Sequence, residues 1–375
     1  MAMSKRCCLL AAILLVSGGP LLASASLEPQ MREVERLRGL TFLHAVTERT
    51  IDRAELPGLL RSQLQSSVPY SLDDYAGILV DLQLVDAGPA IVDKMVDLYD
   101  SQVLAFYDPM SHTYFAIREL PKSVAGIAGA DALRDSVVIH ELTHALQDQR
   151  FGAAGRDRAL IHDTDGELAY HALLEGEASL VMLDSLLEKS GQSFDEAVHS
   201  GLLLGAMDIG AAARKVVGPD VPPYFLESLE FPYVDGLKLC IEGYERGGWK
   251  ELDRMEGNPP RTTREVLHPE EYFARLARGE QGAPPFDPDE PPGVLTVERL
   301  GEFHWRFLVG ADAARGWVDD RVTVHCDRLV TADTRWETPD RAQAFRDAYA
   351  AFLHKRGIEP RMAVDGTVVH VVYLP

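Results

Sequence analysis

The stretch Val137–Arg150, VVIHELTHALQDQR, constrains this chain more than any other. It contains His140-Glu141-Leu142-Thr143-His144, the pattern H-E-x-x-H. On a helix, residues four apart lie on one face, about one turn apart. His140 and His144 can therefore aim two imidazole nitrogens at one point. Zinc accepts that geometry and needs a third protein ligand, leaving one position for water. Glu141 sits about 100° round the helix from His140, placed to polarise that water. Val137, Val138, Ile139, Leu142, Ala145 and Leu146 surround the motif, which suits a buried helix. Three fixed residues in five also arise by chance, so the bare pattern does not by itself establish a metal site.

A third ligand is expected on a second helix, read over Glu167–Leu187, where Leu174-Glu175-Gly176-Glu177-Ala178 offers two carboxylates. Glu175 and Glu177 are about 200° apart on a helix, so both cannot face one ion. Periodicity leaves the choice open. Asp148, four residues after His144, is a candidate to orient an imidazole through the nitrogen that does not bind metal. An exposed helix carboxylate is the alternative. His171, one turn before Glu175, reads as a packing histidine or a further site residue. Hydrolysis also needs a donor for the oxyanion. Tyr233 and His268, each at a turn beside a helix, are candidates, with ordinary packing as the alternative.

HELTHALQDQ resembles the metal helix of the thermolysin-like gluzincins, zinc metallopeptidases. Leu174-Glu175-Gly176-Glu177-Ala178 resembles their E-G-x-A ligand helix. The resemblance covers about His140 to Ala178. It implies a zincin-like catalytic domain that hydrolyses peptide bonds, with zinc on His140, His144 and Glu175 and with Glu141 as general base. The gluzincin helix carries an aspartate four residues after the ligand glutamate; here that position is Ser179, a departure in the shell around the ligands. Phe231–Tyr272 also resembles a set of secreted proteins that carry the same HELTH helix, which adds no mechanism.

The chain has 37 basic against 58 acidic side chains, net −21. That argues against a nucleic-acid or anionic-membrane partner; the peptide or protein substrate is what the resemblance implies. Residues 1–25 read as a signal peptide: Lys5 and Arg6, the apolar run Cys7–Val16, then Ala23-Ser24-Ala25 before the cleavage point. The run is short for a membrane span, so a secreted or periplasmic protein without a stable span is expected. Cys240 and Cys326 remain after cleavage and could pair or stay as thiols. An exported binding or scaffold protein with a structural or lapsed zinc site is the alternative function; the intact Glu141 argues against it, since a structural site needs no base.

The remaining chain reads as α+β, predominantly helical. An N-terminal helical region is expected over 26–101, with Glu28–Gln65 reading helical and broken at Pro57-Gly58, and two helices over Ser71–Leu84 and Ala90–Tyr99. The catalytic domain is expected over 102–280. It opens with a β-hairpin at Gln102–Ile117, turned at Asp108-Pro109-Met110-Ser111, whose edge could pair with an extended substrate. Asp131 is placed to cap the metal helix, and Thr164-Asp165-Gly166-Glu167 has capping-box form. Val216–Pro232 reads as loop. Gln281–Gly293 holds five of the 22 prolines and reads as a linker. A small α+β unit is expected over 294–375, with strands at Val322–Asp327, Leu329–Arg335 and Thr367–Leu374 and a helix at Asp340–Arg356.

Overall fold

The structure, a computed structural model, describes residues 27–120, 130–203, 221–286 and 288–375. The expected signal peptide and the Asp131 cap lie outside the described residues and side chains. The fold is mixed α and β, mostly helical, with two sheets among the described residues.

The first half runs α1 (Glu28–Arg38), β1 (Thr47–Ile51), α2 (Leu56–Ser67), α3 (Leu72–Asp81), α4 (Ile91–Gln102), β2 (Ala105–Asp108), β3 (Thr113–Ile117), α5 (Ala130–Phe151), α6 (Ala153–Ala159), α7 (Thr164–Lys189) and α8 (Phe194–His199). After 221 come α9 (Pro223–Gly247), α10 (Trp249–Gly257), α11 (Thr263–Leu267) and α12 (Pro269–Ala277). The C-terminal part is β4 (Val294–Glu298), α13 (Gly301–Val309), α14 (Ala311–Ala314), β5 (Trp317–His325), β6 (Val330–Trp336), α15 (Pro339–Lys355), β7 (Arg361–Asp365) and β8 (Val368–Tyr373).

The expected hairpin is present as β2 and β3, but a third strand joins it. The order is β1-β3-β2, with β1 parallel to β3 from Thr47↔Thr113 to Ile51↔Ile117. The helical reading of Glu28–Gln65, broken only at Pro57-Gly58, is therefore corrected: the chain leaves the helix for β1, and α2 runs through Pro57-Gly58. Gly39 ends α1 in the left-handed conformation, φ 67°, which glycine adopts without steric cost. The hairpin edge is also not open. Ala105, Phe106 and Tyr107 are buried, and the Tyr107 amide on that edge is bonded to Glu141 of α5. The exposed edge is β1, at Thr47, Arg49 and Thr50.

Helix α7 starts three residues before the expected position. Its N-cap is Asp163, whose side chain accepts from Gly166 N–H at 2.9 Å. The same carboxylate takes Arg299 at Nε, 3.0 Å, and the Phe286 amide at 2.9 Å. One buried aspartate thus ties the start of α7, the stretch 281–293 and the end of β4. Helix α9 runs through Pro232, where a loop was expected. Proline has no N–H for the carbonyl four residues back, here that of Ser228, and both residues line a cavity.

Helices α7 and α9 cross at two glycines. A Cβ on Gly176 would stand 2.2 Å from the Gly236 carbonyl oxygen, and one on Gly236 would stand 1.9 Å from that of Ala172. No larger residue fits there without parting the helices.

The second sheet has the order β4-β5-β6-β8-β7, antiparallel throughout, with α15 against it. Asp320 of β5 is buried and accepts from four donors: the amides of Leu300 and Gly301 and the indole N–H groups of Trp305 and Trp317. Burial raises its pKa against those donors. A continuous apolar core joins α3, α4, α7 and α9 to this sheet, including Leu79, Met95, Leu173, Leu237, Phe303 and Trp336. Cys240 is buried and Cys326 exposed, and both are free thiols.

Candidate metal centre

The site is assembled by α5 and α7. Their apolar faces pack against each other and against α1, with Ile139, Leu142, Leu146 and Val181 wholly buried. That contact carries His140 and His144 from α5 to Glu175 of α7. Nε2 of His140 is 3.0 Å from Oε2 of Glu175, Nε2 of His144 is 3.4 Å from the same oxygen, and the two nitrogens are 3.1 Å apart. All three residues are buried, and the group could hold a metal ion. Glu177, the competing carboxylate, points elsewhere: its Oε1 accepts from Nε of Arg38 at 2.5 Å and its Oε2 from Nε2 of Gln147 at 3.2 Å.

The electrostatics reflect three titratable groups in one buried place. Burial raises the Glu175 carboxyl, but the two imidazoles outweigh this and hold it below its ordinary value. Burial lowers His144, yet Glu175 overcomes that and pushes it up to about 9. Burial wins at His140, which is lowered. The cluster therefore holds one strong carboxylate–imidazolium pair and one neutral imidazole. A cation would displace the imidazolium proton.

Glu141 lies beside this group. Its Oε2 accepts from the Tyr107 amide at 2.9 Å, and its Oε1 is buried with no hydrogen-bond partner among the described residues. Burial pushes its carboxyl up to about 8, with His144 pulling down and Glu175 pushing up. Nδ1 of His140 is likewise buried and without a partner among the described residues.

The residue that orients His144 is Gln147, not Asp148. Oε1 of Gln147 is 2.8 Å from Nδ1 of His144. Asp148 instead accepts from the Tyr107 hydroxyl at 3.0 Å and the Ala154 amide at 3.0 Å. Gln147 was missed because an imidazole partner three residues on is as compatible with a helix as one four residues on.

Tyr233 is brought to the site. Three residues before the Gly236 crossing, its ring stacks on that of His140, with centroids 6.0 Å apart and planes 19° apart. His268 is not. It sits between α11 and α12, where Nε2 meets both carboxylate oxygens of Glu302 at 2.9 and 3.1 Å. His171 makes a 2.8 Å contact with Asp157 of α6. With Glu167 those two form a second group of possible donors.

A cavity of about 250 Å³ opens on Glu175 and Tyr233. Its polar wall includes Glu167, His171, Glu298 and His304; its apolar wall is built by Ile78, Leu79, Leu82 and Met95. No lysine or arginine is among the described residues that line it. N-terminal helices, α7, α9 and the β4–α13 segment all contribute, so the cavity is built by segments far apart in the chain.

No helix among the described residues is long and apolar enough to cross a membrane. No curated protein and no solved structure matches the chain. Residues 288–372 are similar to a domain of unknown function, DUF8575.

Proposed function

We propose that this chain is an exported zinc metallopeptidase of gluzincin type, with a zincin-like catalytic domain, that hydrolyses peptide bonds in a peptide or protein substrate. The observation that carries the reading is the meeting of His140, His144 and Glu175 at 3.0–3.4 Å. Four ligands placed tetrahedrally at about 2.0–2.1 Å from a zinc ion stand about 3.3–3.4 Å from one another. The spacing of the three donors is close to that, and the donor set of two imidazoles and one carboxylate is a catalytic zinc set. The unpartnered Oε1 of Glu141 supports the same reading, since a buried oxygen without a donor otherwise costs stability.

Zinc bound there supplies a Lewis acid that activates water and polarises the scissile carbonyl. The chain's own groups do the rest. His140, His144 and Glu175 hold the ion. Glu141, fixed through Oε2 by the Tyr107 amide, takes the water proton on Oε1 and gives it to the leaving amine. Its raised pKa belongs to the metal-free cluster; a dication beside it favours the carboxylate needed in a base. The Tyr233 hydroxyl donates to the oxygen that becomes negative as the carbonyl is attacked. The cavity binds the substrate side chain next to the scissile bond.

The test is metal analysis of the purified chain with a peptide-library digest, each with and without chelator. The reading expects about one tightly held zinc per chain at the catalytic centre and cleavage that chelator abolishes. Absence of bound zinc, or cleavage that persists after its removal, contradicts it.

A further inference from the structure

We propose that Arg38, on the first helix of the described chain, is a positioning residue for the metal ligand His144, acting through Glu177 and Gln147. This rests on the metal reading above.

The contacts run without a gap. Nδ1 of His144 meets Oε1 of Gln147 at 2.8 Å. The amine of Gln147 donates to the Leu174 carbonyl at 3.1 Å and to Oε2 of Glu177 at 3.2 Å. Oε1 of Glu177 accepts from Nε of Arg38 at 2.5 Å. Arg38 is anchored in turn by Asp253, 2.9 Å from its Nη2, and lies over the Trp249 ring, 4.8 Å from its centre. His144, Gln147, Glu177 and Arg38 are all at most 4% exposed, so no bulk water substitutes for a missing member.

The direction of each bond fixes the tautomer of His144. The Leu174 carbonyl and the Glu177 carboxylate only accept, so they take the amine end of the Gln147 amide. The amide oxygen must then face His144, and it accepts only from a protonated Nδ1. That leaves Nε2 as the nitrogen offered to the cluster, the tautomer a metal ligand needs. Arg38 completes the logic by engaging one oxygen of Glu177 and leaving the other turned to Gln147. Without the guanidinium the carboxylate loses its cationic anchor and keeps only Gln147 and the neighbouring Glu256 carboxyl, and the amide loses half of what sets its direction. The first helix is thereby a working part of the site. Lysine cannot replace the fork that reaches Glu177 and Asp253 together.

The experiment is zinc affinity of the full chain by chelator competition, with the cobalt-substituted absorption spectrum as a second readout. Arg38→Met and Glu177→Gln should hold zinc about 10–100-fold more weakly than the parent, with altered cobalt bands and unchanged circular dichroism. Arg38→Lys should recover part of the loss. Asp320→Asn, which perturbs a buried hub bonded to no member of the relay, should keep parental affinity. Where Arg38→Met does not fold, the double variant Arg38→Met/Glu177→Leu removes both charges together and should show the same weakening. Folded relay variants with parental affinity overturn the proposal alone. A parent chain that takes up no zinc overturns the metal reading, and this one with it.

Discussion

The main-chain N–H of Tyr107 donates to Oε2 of Glu141 at 2.9 Å. The Tyr107 hydroxyl reaches Asp148, two turns along the same helix, at 3.0 Å. One strand residue therefore pins α5 at two points, seven residues apart and on one face. The bond closes the strand edge at that position and leaves the other oxygen of Glu141 beside the His140–His144–Glu175 group. The hairpin thus meets the candidate site by holding the Glu141 carboxylate, rather than by offering a free edge.

The two glutamates of Leu174–Ala178 should separate cleanly. Glu175→Ala removes one of three donors, and zinc content should fall well below one per chain. Glu177→Ala should leave zinc present at stoichiometric loading and only weaken its affinity. If Glu177→Ala empties the site while Glu175→Ala does not, the ligand assignment is wrong.

Tyr233→Phe deletes the hydroxyl that the proposed mechanism offers to the developing oxyanion and keeps the ring on His140. Removing one such donor typically costs about 10²–10³ in kcat. Zinc content and KM should change little. Parental kcat in this variant would remove Tyr233 from the reaction and leave its ring as packing.

Gly176→Ala places a methyl 2.2 Å from the Gly236 carbonyl oxygen. Helices α7 and α9 must then part, and overpacking of this kind costs about 1–3 kcal/mol or more. Denaturant unfolding should show that loss. Because α9 carries Tyr233, residual activity should fall more than zinc content does. A variant as stable as the parent would show that the crossing yields easily.

His304 gives a stability change with a known sign. It is buried, its Nδ1 donates to the Leu300 carbonyl, and its Nε2 is 3.1 Å from the Tyr224 hydroxyl. Burial lowers its pKa to about 4, from an ordinary 6.5. As pH falls below the ordinary value, the unfolded chain takes up the proton first. The neutral ring's contribution is therefore complete above pH 6.5 and is lost as pH falls towards 4. It amounts to about 3 kcal/mol. Urea unfolding across that range should show a steeper acid loss in the parent than in His304→Gln. Equal slopes would mean the ring titrates normally.

What the sequence made legible follows from how local each signal is. His140, Glu141 and His144 lie within one turn and a half of one helix, so spacing alone places them. Glu175 rested on its resemblance to a ligand helix, because the angle between positions 175 and 177 cannot say which faces α5. Gln147 stayed hidden because its role depends on Leu174 and Glu177, 27 and 30 residues away. Strand β1 was read as helix because Thr47-Glu48-Arg49-Thr50 is polar and its partner β3 lies some 66 residues on in a parallel pairing. His268 was a reasonable candidate by type and turn position, but its partner Glu302 comes from α13, beyond the proline-rich stretch. Pro232 suggested a break, and only the packing of α9 on α7 carries the helix through it.

The most direct test of the account is Glu141→Gln, followed by zinc analysis and the peptide-library digest on the same preparation. The amide keeps the shape of the side chain and can still accept from the Tyr107 amide, but it cannot take a proton from water. The variant should hold zinc near one per chain, as in the parent, with cleavage slowed by about 10²–10⁴-fold. Cleavage at the parental rate with zinc in place would contradict the proposed mechanism, and would leave a zinc-binding protein whose glutamate is not a base.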